Sequence, residues 1–360
     1  MTDRHPTEAP PPWRSVTARA PGRVNLIGDH TDYNGGLALP MAIDLATEVT
    51  FTESGSDAIE LASDLGTGPV HLPIDLFYEP TLLGQIEPEW ARLAAALVAQ
   101  SAPPTGGVAR ATSTVPVGSG LSSSAAFGVA FALALGVEGS ATFMARLCQR
   151  AEAAIGIEVG LMDPMVSVGG QAGCALLIDF SSLEMTPVPL PPTLEVVVVH
   201  SGEQRTLRDT PYAARRAECE AAASELHHPL GQAEEADIPG FFDPVLRRRA
   251  RHVVSECRRV REMVGALTAG DLATVGRLLV ESHRSLAVDF EVSTPVVDAL
   301  VDSLVARRGV LGARMTGGGF GGCVVALTVP GSLDPTEWPG RAWRVAGADG
   351  ASVRPNSAAR

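Results

Sequence analysis

Strand-like alternation of apolar and polar positions marks several segments of the chain. RSVTARAPGRVNLIG (14–28) alternates and then breaks at Gly28, and LALPMAIDLATEVTFTES (37–54) predicts two strands around a proline turn. GVARATSTVP (107–116) predicts a strand that ends at proline, and two apolar runs, CALLIDF (174–180) and LEVVVVH (194–200), predict buried strands.

Helical spacing of apolar residues takes over elsewhere. EPEWARLAAALVAQ (87–100), SSSAAFGVAFALAL (122–135) and ATFMARLCQRAEAAI (141–155) predict helices, the second apolar almost all round and therefore buried. After residue 200 the pattern predicts helices at 209–226, 243–267, 271–285 and 295–307. A strand at GARMT, a glycine loop and a strand at CVVALTV (323–329) follow.

The length of the chain predicts two domains. At 360 residues it exceeds one ordinary core, and the proline-rich PVPLPP (187–192) marks a candidate boundary. Residues 1–16, rich in proline, are predicted to form a disordered tail. The chain has neither an apolar run long enough to span a membrane nor a secretory leader, so we expect a cytoplasmic protein.

Charge and cysteine content exclude some classes of function. A formal net charge of −13 disfavours a nucleic-acid partner, because phosphate backbones need basic surfaces. The one dense basic stretch, LRRRARH (246–252), is predicted to be the solvent-facing side of a helix. The five cysteines are far apart and form no Cys-x-x-Cys pair, which predicts reduced, mostly buried thiols.

A glycine- and serine-rich loop, PVGSGLSSSA (116–125), is the first candidate for binding chemistry. The chain has no lysine, so this loop cannot be the familiar phosphate loop that ends in Gly-Lys-Ser/Thr. It lies between a predicted strand and a predicted helix, where free N–H groups of the first helical turn carry partial positive charge and can hold phosphate. The alternative is a serine that only caps a core helix.

Two further glycine-containing motifs lie far away in sequence. Near the N-terminus Asp29, His30 and Asp32 cluster within four positions, an arrangement suited to gripping several hydroxyl groups, with a metal site as the rival interpretation. Near the C-terminus TGGGFGG (316–322) either contributes to the same site or forms a tight turn between strands.

Taken together, the three motifs closely resemble the signatures of galactokinases. PGRVNLIGDHTDYNGG (21–36) is specific to that branch, whereas PVGSGLSSSA and RMTGGGFGGC (314–323) indicate the wider family of galactokinase, homoserine kinase, mevalonate kinase and phosphomevalonate kinase. TPYAARRAECE (210–220) and SHRSLAVDFEVSTPVVDAL (282–300) are similar to galactokinase segments as well. The resemblance therefore extends from about residue 17 to 325.

The resemblance implies an α+β fold of two domains with the active site in the cleft between them. Residues 17–190 would form an N-terminal domain with a mixed sheet, and 191–360 a ferredoxin-like C-terminal domain. The implied activity is ATP-dependent phosphorylation of the C1 hydroxyl of α-D-galactose, with Mg²⁺ as the metal cofactor. Neither nucleic acid nor a membrane is an expected partner, and the resemblance to the family implies a monomer.

The resemblance also assigns roles to residues. Arg23 matches the transition-state arginine, and Asp163, in GLMDP (160–164), matches the catalytic aspartate. Sugar hydroxyls would be held by Asp29, His30, Asp32, Gly160 and Tyr212. The phosphates of ATP would be wrapped by Gly118, Ser119, Gly120, Leu121, Ser122, Ser123 and Ser124. Ser124 and Glu152 would ligate Mg²⁺.

Three departures from the family pattern keep alternatives open. Asp29 stands where the family usually has glutamate, Glu152 is offset by one residue from the usual metal ligand, and Pro164 replaces a glutamine beside Asp163. Pro164 either occupies the first position of a helix, which needs no N–H bond, or marks an altered sugar pocket. The alternatives for the whole chain are a kinase of another monosaccharide and a non-catalytic regulator that binds galactose and ATP.

Overall fold

The computed structural model describes residues 14–356, except 65, 67, 77, 158, 204–210 and 340, and at residue 211 the backbone alone. Residues 1–13 of the predicted tail therefore lie outside the described residues. Ser15 and Val16, assigned to that tail from the sequence, belong instead to the first strand.

The described strands form three sheets. The strands are β1 (Ser15–Asn25), β2 (Leu37–Ala38), β3 (Pro40–Glu53), β4 (Ala58–Ser63), β5 (Val70–Pro73), β6 (Gly107–Ser113), β7 (Cys174–Asp179), β8 (Glu184–Pro189), β9 (Glu195–His200), β10 (Val310–Thr316), β11 (Cys323–Thr328), β12 (Ala342–Val345) and β13 (Ser352–Pro355). A mixed sheet has the order β13-β1-β3-β6-β4-β5, with β4 and β6 parallel. An antiparallel sheet has the order β10-β11-β9-β12, and β2, β7 and β8 form the third.

Helices cover these sheets. They are α1 (Pro80–Leu83), α2 (Arg92–Ser101), α3 (Ser123–Ala134), α4 (Ala141–Ala154), α5 (Met162–Gly169), α6 (Pro211–Leu226), α7 (Pro244–Ala269), α8 (Leu272–Val288) and α9 (Pro295–Val305). Apolar side chains of α2, α3 and α4 share one core with the mixed sheet, and α6, α7 and α9 share another with the antiparallel sheet. This arrangement confirms the predicted α+β class.

The strands that lie where the sequence pattern gave no strand are β4, β5, β8, β12 and β13. The proline-rich candidate boundary at 187–192 begins inside β8, which pairs with β7 as far as Pro189. The last strand, β13, returns to the mixed sheet and pairs with β1. Residues 352–355 thus lie against the first sheet, and the division after residue 190 stays a prediction.

The basic stretch at 246–252 lies on α7, but its prediction as a purely solvent-facing surface is wrong. Arg249 is only 1% exposed and His252 is fully buried. The guanidinium of Arg249 pairs with the carboxylates of Glu218 and Glu291, each at 2.6 Å, which offsets the cost of burying its charge.

The described residues also test the predictions about membrane-spanning helices and about the cysteine thiols. In the described part of the chain no helix is both long and apolar enough to cross a bilayer. All five cysteines are free thiols, four of them buried, as the spacing predicted.

Candidate active site

A cavity of about 360 Å³ brings the three glycine-containing motifs together. This volume lies in the usual range for small-molecule sites. Its lining residues are Arg23, Asp29, His30, Asp32, Val117, Gly118, Gly120, Ser122, Ser123, Ser124, Val159, Gly160, Met162, Asp163, Tyr212, Gly317 and Gly318. Most of the residues that the sequence assigned to the site therefore meet at one place.

An arginine–carboxylate pair lies between the serine loop and the Asp29–Asp32 cluster. Arg23, on β1, donates from Nε and Nη2 to the two oxygens of Asp163, each at 2.7 Å. Arg23 is buried, and its Nη1 also donates to the carbonyl of Gly120. This two-point contact fixes the plane of the Asp163 carboxylate at the first turn of α5, where a negative charge is favourable.

The serine loop turns sharply before α3. Gly118 and Gly120 have φ of 72° and 79°, and Ser122 has φ of 64°, a left-handed conformation uncommon for serine. The Ser122 hydroxyl donates to the Asp163 carboxylate, so the loop is tied directly to that residue. Ser123, the first residue of α3, presents the free N–H groups of the helix start to the cavity.

Two residues of the loop do not present their side chains to the cavity. The Ser119 hydroxyl donates to the carbonyl of Pro116 at 2.7 Å, and the Leu121 side chain is fully buried in a core. The backbone carbonyl of Leu121 accepts a hydrogen bond from the Arg23 N–H at 3.1 Å. Neither residue lines the cavity, and the Leu121 N–H already donates to the Ser119 hydroxyl oxygen at 3.4 Å.

Ser124 and Glu152 form a polar pair at the wall of the cavity. The Ser124 hydroxyl hydrogen bonds the Glu152 carboxylate, which is buried on α4 and does not itself line the cavity. Burial raises the pKa of Glu152 to about 7, an effect that the Ser124 bond opposes and the nearby Asp163 charge reinforces. The structure places no arginine or histidine ion pair on Glu152 among the described residues.

Asp32 and Gly160 are in direct contact at the wall of the cavity. Asp32 begins a short 3₁₀ turn, Asp32–Asn34, and a Cβ added at Gly160 would overlap its carboxylate. Burial and the charge of Asp163 raise the pKa of Asp32 to about 6. Asp32 is therefore a desolvated acceptor that gains from a hydroxyl partner.

Aromatic rings form a wall beside Asp32. His30 has φ of 64°, and its Nδ1 lies 2.9 Å from the hydroxyl of Tyr33. The His30 ring centroid is 5.6 Å from that of Tyr212 on α6 and 4.5 Å from that of Phe290. His30 and Tyr212, whose rings are tilted by 41°, offer the cavity apolar ring surface with polar edges, which suits contact with a sugar ring.

Asp29 is held by the protein itself. Its carboxylate accepts a hydrogen bond from the backbone N–H of Gly317 at 2.9 Å and pairs with Arg314, which is fully buried on β10. Gly317 belongs to the C-terminal glycine motif. Asp29 thus joins the first and third motifs, and only its remaining lone pairs face the cavity.

Pro164 does not occupy the position expected from the sequence. The helix α5 begins at Met162, so Pro164 is its third residue rather than its first. An N–H in the first helical turn has no partner within the helix, so proline is tolerated here for the same reason. Pro164 is buried, and the first bond of the helix runs from the Met165 N–H to the Leu161 carbonyl at 3.2 Å.

Sequence reasoning missed part of the lining. Gly317 and Gly318 were noticed as a motif but not assigned to the site, and Val117, Val159 and Met162 carried no chemical signal. The rival metal site at Asp29, His30 and Asp32 is not supported, because the described residues contain no group of three or more His, Cys, Asp or Glu suited to a metal ion.

Comparison with known proteins agrees with this geometry. A galactokinase galactose-binding signature matches residues 7–52, the N-terminal domain of GHMP kinases matches 90–171, and the C-terminal region of GHMP kinases matches 263–336. Human galactokinase is 42% identical over 329 residues, covering 87% of this chain and 83% of its own. A galactokinase of Mycobacterium tuberculosis is 42% identical over 332 residues, covering 87% and 89%.

Solved structures give the same result at the level of the fold. The Lactococcus lactis galactokinase complexed with galactose superposes with a TM-score of 0.83 at 28% identity, covering 94% of this chain and 95% of its own. The Methanococcus jannaschii mevalonate kinase has a TM-score of 0.64 at 19% identity, covering 92% and 98%, and shares the fold alone. The chain therefore belongs to the galactokinases of the GHMP kinase family.

Proposed function

We propose that the protein transfers the γ-phosphoryl group of ATP to the C1 hydroxyl of α-D-galactose, giving galactose 1-phosphate and ADP. The observation that carries this proposal is the Arg23–Asp163 pair, which lies between the serine loop and the hydroxyl-binding side of one cavity. A phosphoryl donor and an alcohol acceptor would meet at that pair.

The sugar side of the cavity supplies hydrogen-bond acceptors, an aromatic wall and space for a ligand. Asp32 accepts hydrogen bonds from hydroxyl groups, and Gly160 lets its carboxylate pack closely, because a side chain at position 160 would overlap it. His30 and Tyr212 close one side of the pocket with their rings. The galactose-binding signature at 7–52 supports galactose as the occupant.

Asp163 and Arg23 perform the transfer. Phosphoryl transfer passes through a loose transition state, so alignment and charge neutralisation matter more than covalent participation. Asp163 orients the C1 hydroxyl and accepts its proton as the bond from that oxygen to the γ-phosphorus forms and the bond to the β,γ-bridging oxygen breaks. Arg23 neutralises charge that collects on the equatorial phosphoryl oxygens.

The nucleotide side is the serine loop with the start of α3. Its backbone N–H groups and the hydroxyl of Ser123 donate to phosphate oxygens, in a chain that has no lysine. Ser124 and the buried Glu152 carboxylate fit Mg²⁺, which prefers oxygen ligands and takes few from the protein when phosphates supply others. When bound, Mg²⁺ would neutralise charge on the phosphates.

The proposal includes a monomer acting in the cytoplasm, where ATP is available. Light scattering across a range of protein concentrations tests this part, and activity confined to a dimer would contradict it.

One observation favours a second candidate, a kinase of another galactose-like sugar. The family usually has glutamate at position 29, whereas here a shorter aspartate is engaged by Arg314 and Gly317. A coupled assay of ATP turnover across a panel of monosaccharides separates the candidates. Galactose as the best substrate supports the proposal, another sugar supports the second candidate, and no turnover with any sugar supports a non-catalytic binder.

A further inference from the structure

We propose that two buried residues of α7, His252 and Glu256, are positioning residues for the sugar. They hold the backbone of Gly28 and Asp29, immediately before the pocket residues His30 and Asp32. The inference rests on the proposed function. It assigns to α7, in the second half of the chain, an influence on the affinity for galactose.

Glu256 holds the first point of the segment. Its side chain is fully buried, and its Oε1 accepts hydrogen bonds from the Gly28 N–H at 3.0 Å and the Ser282 hydroxyl at 2.5 Å. Its Oε2 accepts from Arg259 Nε at 2.8 Å. Although burial opposes ionisation, the charges of Arg259, His252 and Arg314 bring the pKa of Glu256 down to about 2. Gly28 therefore donates to a carboxylate, a stronger bond than one to a neutral acceptor.

The conformation of Gly28 explains why an outside acceptor is needed. Its φ is 98°, a region that residues with side chains rarely adopt, and a Cβ there would overlap the backbone of Ala38 and Leu37. Glycine permits this turn but does not itself select it, because glycine populates many conformations. The bond to Glu256 selects the one that brings His30 and Asp32 into the cavity.

His252 holds the second point. It is fully buried, and its Nε2 lies 3.2 Å from the carbonyl oxygen of Asp29. Because a carbonyl can only accept, Nε2 carries the proton, and Nδ1 faces the hydroxyl of Ser285 at 2.9 Å. The His252 ring also lies 4.6 Å from that of Phe290, which contacts His30.

Neither residue lines the cavity, so neither touches the substrates. The serine loop lies between β6 and α3, and among the described residues the side-chain hydrogen bonds of His252 and Glu256 reach neither element. Loss of the two bonds is therefore expected to weaken galactose binding and to leave the KM for ATP nearly unchanged.

A matched pair of double variants isolates the acceptor. E256Q/R259M and E256M/R259M both remove the buried ion pair, but only the first keeps an oxygen that can accept from the Gly28 N–H. We expect the Kd for galactose, measured by calorimetry, to be about tenfold weaker in the second than in the first, as for one lost hydrogen bond. The KM for ATP and the kcat at saturating galactose should agree within about twofold.

A second pair tests the same idea at His252. H252Q keeps an N–H that can donate to the Asp29 carbonyl, whereas H252M does not, and the same order of galactose affinities is expected. This pair decides the matter if a Glu256 variant fails to fold. V98A, which removes buried volume from α2 in the core shared with the mixed sheet, reports the effect of lost stability alone and should leave the Kd for galactose unchanged.

The outcomes separate the inference from the proposed function. If the wild-type protein binds no galactose, the proposed function fails. If it binds galactose and the members of each pair bind it equally well, the positioning role is rejected while the function stands. Equal weakening for galactose and ATP within a pair would likewise reject positioning in favour of a general structural role.

Discussion

Three aspartates in one cavity are given different properties by their partners. Arg314 and the Gly317 N–H engage Asp29, and Arg23 engages Asp163 at two points. Asp32 has no arginine ion pair within the described residues, and burial raises its pKa to about 6. An aspartate is thus braced at position 29, paired with an arginine at position 163, and desolvated, with no arginine ion pair among the described residues, at position 32, where we propose that sugar hydroxyls bind.

Replacing Asp32 by asparagine should stabilise the ligand-free protein at pH 8. The pKa of Asp32 is about 6 in the native protein against an ordinary value of 3.8, so the native state binds the proton more tightly. The resulting stability is present below about pH 4 and is lost as the pH rises through 6. We expect D32N to gain about 1–2 kcal/mol at pH 8, less than the full shift because Asp32 is only partly buried by accessible surface, and little at pH 4.

Denaturant unfolding of D32N and wild type at both pH values, with D302N on the surface of α9 as control, measures this gain. Galactose binding should weaken in the same variant, because an amide N–H replaces part of an acceptor. A D32N protein less stable than wild type at pH 8 would contradict the desolvated state of Asp32.

Replacing Glu152 by glutamine should raise the Mg²⁺ concentration needed for half-maximal turnover. The carboxylate beside Ser124 is an oxygen ligand of the kind Mg²⁺ prefers, and a neutral amide is a weaker one. We expect a shift of about tenfold or more, with galactose affinity unchanged. Rates measured over a Mg²⁺ series, with the exposed E138Q as control, test it, and an unchanged Mg²⁺ requirement would remove Glu152 from the metal site.

At the scale of elements, the site is assembled where β1, the serine loop and the start of α5 meet. Arg23 comes from β1 and Asp163 from the first turn of α5, while Ser122 ties the loop to the same carboxylate. Pro164 follows directly, in a turn whose N–H groups have no helical partners.

Changing Pro164 to glutamine should therefore have a small effect on catalysis. The N–H of residue 164 would have no partner within the helix, so glutamine gains no helical hydrogen bond over proline. Asp163 is already held by Arg23 and Ser122. We expect kcat/KM for galactose to change by less than about tenfold, or roughly 1.4 kcal/mol. Steady-state kinetics measures it, and a much larger gain would indicate that the natural pocket is tuned for a different sugar.

A methyl group at Gly160 should impair the sugar side alone. The added Cβ of G160A would overlap the Asp32 carboxylate and force it to move. We expect galactose to bind about tenfold or more weakly, as for the loss of one charged hydrogen bond, with ATP binding retained. G265A, in open space on α7, is the matched control. If calorimetry finds that G160A and wild type bind galactose with equal affinity, Asp32 and Gly160 do not form part of the sugar-binding surface.

The sequence predicted the long periodic elements well. It predicted the other elements poorly, because they carry little local signal. Helices α3, α4 and α7 lie close to the predicted ranges because their apolar spacing is regular. The strand β13 was missed because all four of its residues are exposed, and α5 because Pro164 interrupts its first turn.

Site residues carried by motifs were predicted, whereas their partners were not. The serine loop, Arg23, Asp32 and Asp163 meet in the cavity as the resemblance implied. His252 lay hidden in a basic run that was predicted to face solvent. Its bond to Asp29 spans 223 positions in sequence, and no local pattern encodes a contact of that separation.

At the scale of the whole molecule, distant parts of the chain brace the N-terminal motif. Arg314 reaches Asp29 across 285 positions, and Glu256 reaches Gly28 across 228. The cleft is therefore a joint product of the first 50 residues and of β10 and α7. Breaking a buried ion pair such as Arg314–Asp29 is costly, which helps to keep this cleft in one form.

The most direct test of the central claim is the identity of the phosphorylated product. Wild-type protein is incubated with ATP, Mg²⁺ and galactose, and the product is examined by phosphorus NMR for coupling to the anomeric proton; D163A is the control. We predict galactose 1-phosphate from wild type and nearly none from D163A, which should still bind galactose in calorimetry. Phosphate on another hydroxyl, or equal product from D163A, would contradict the assignment of this cavity as a galactose 1-kinase site built on Asp163.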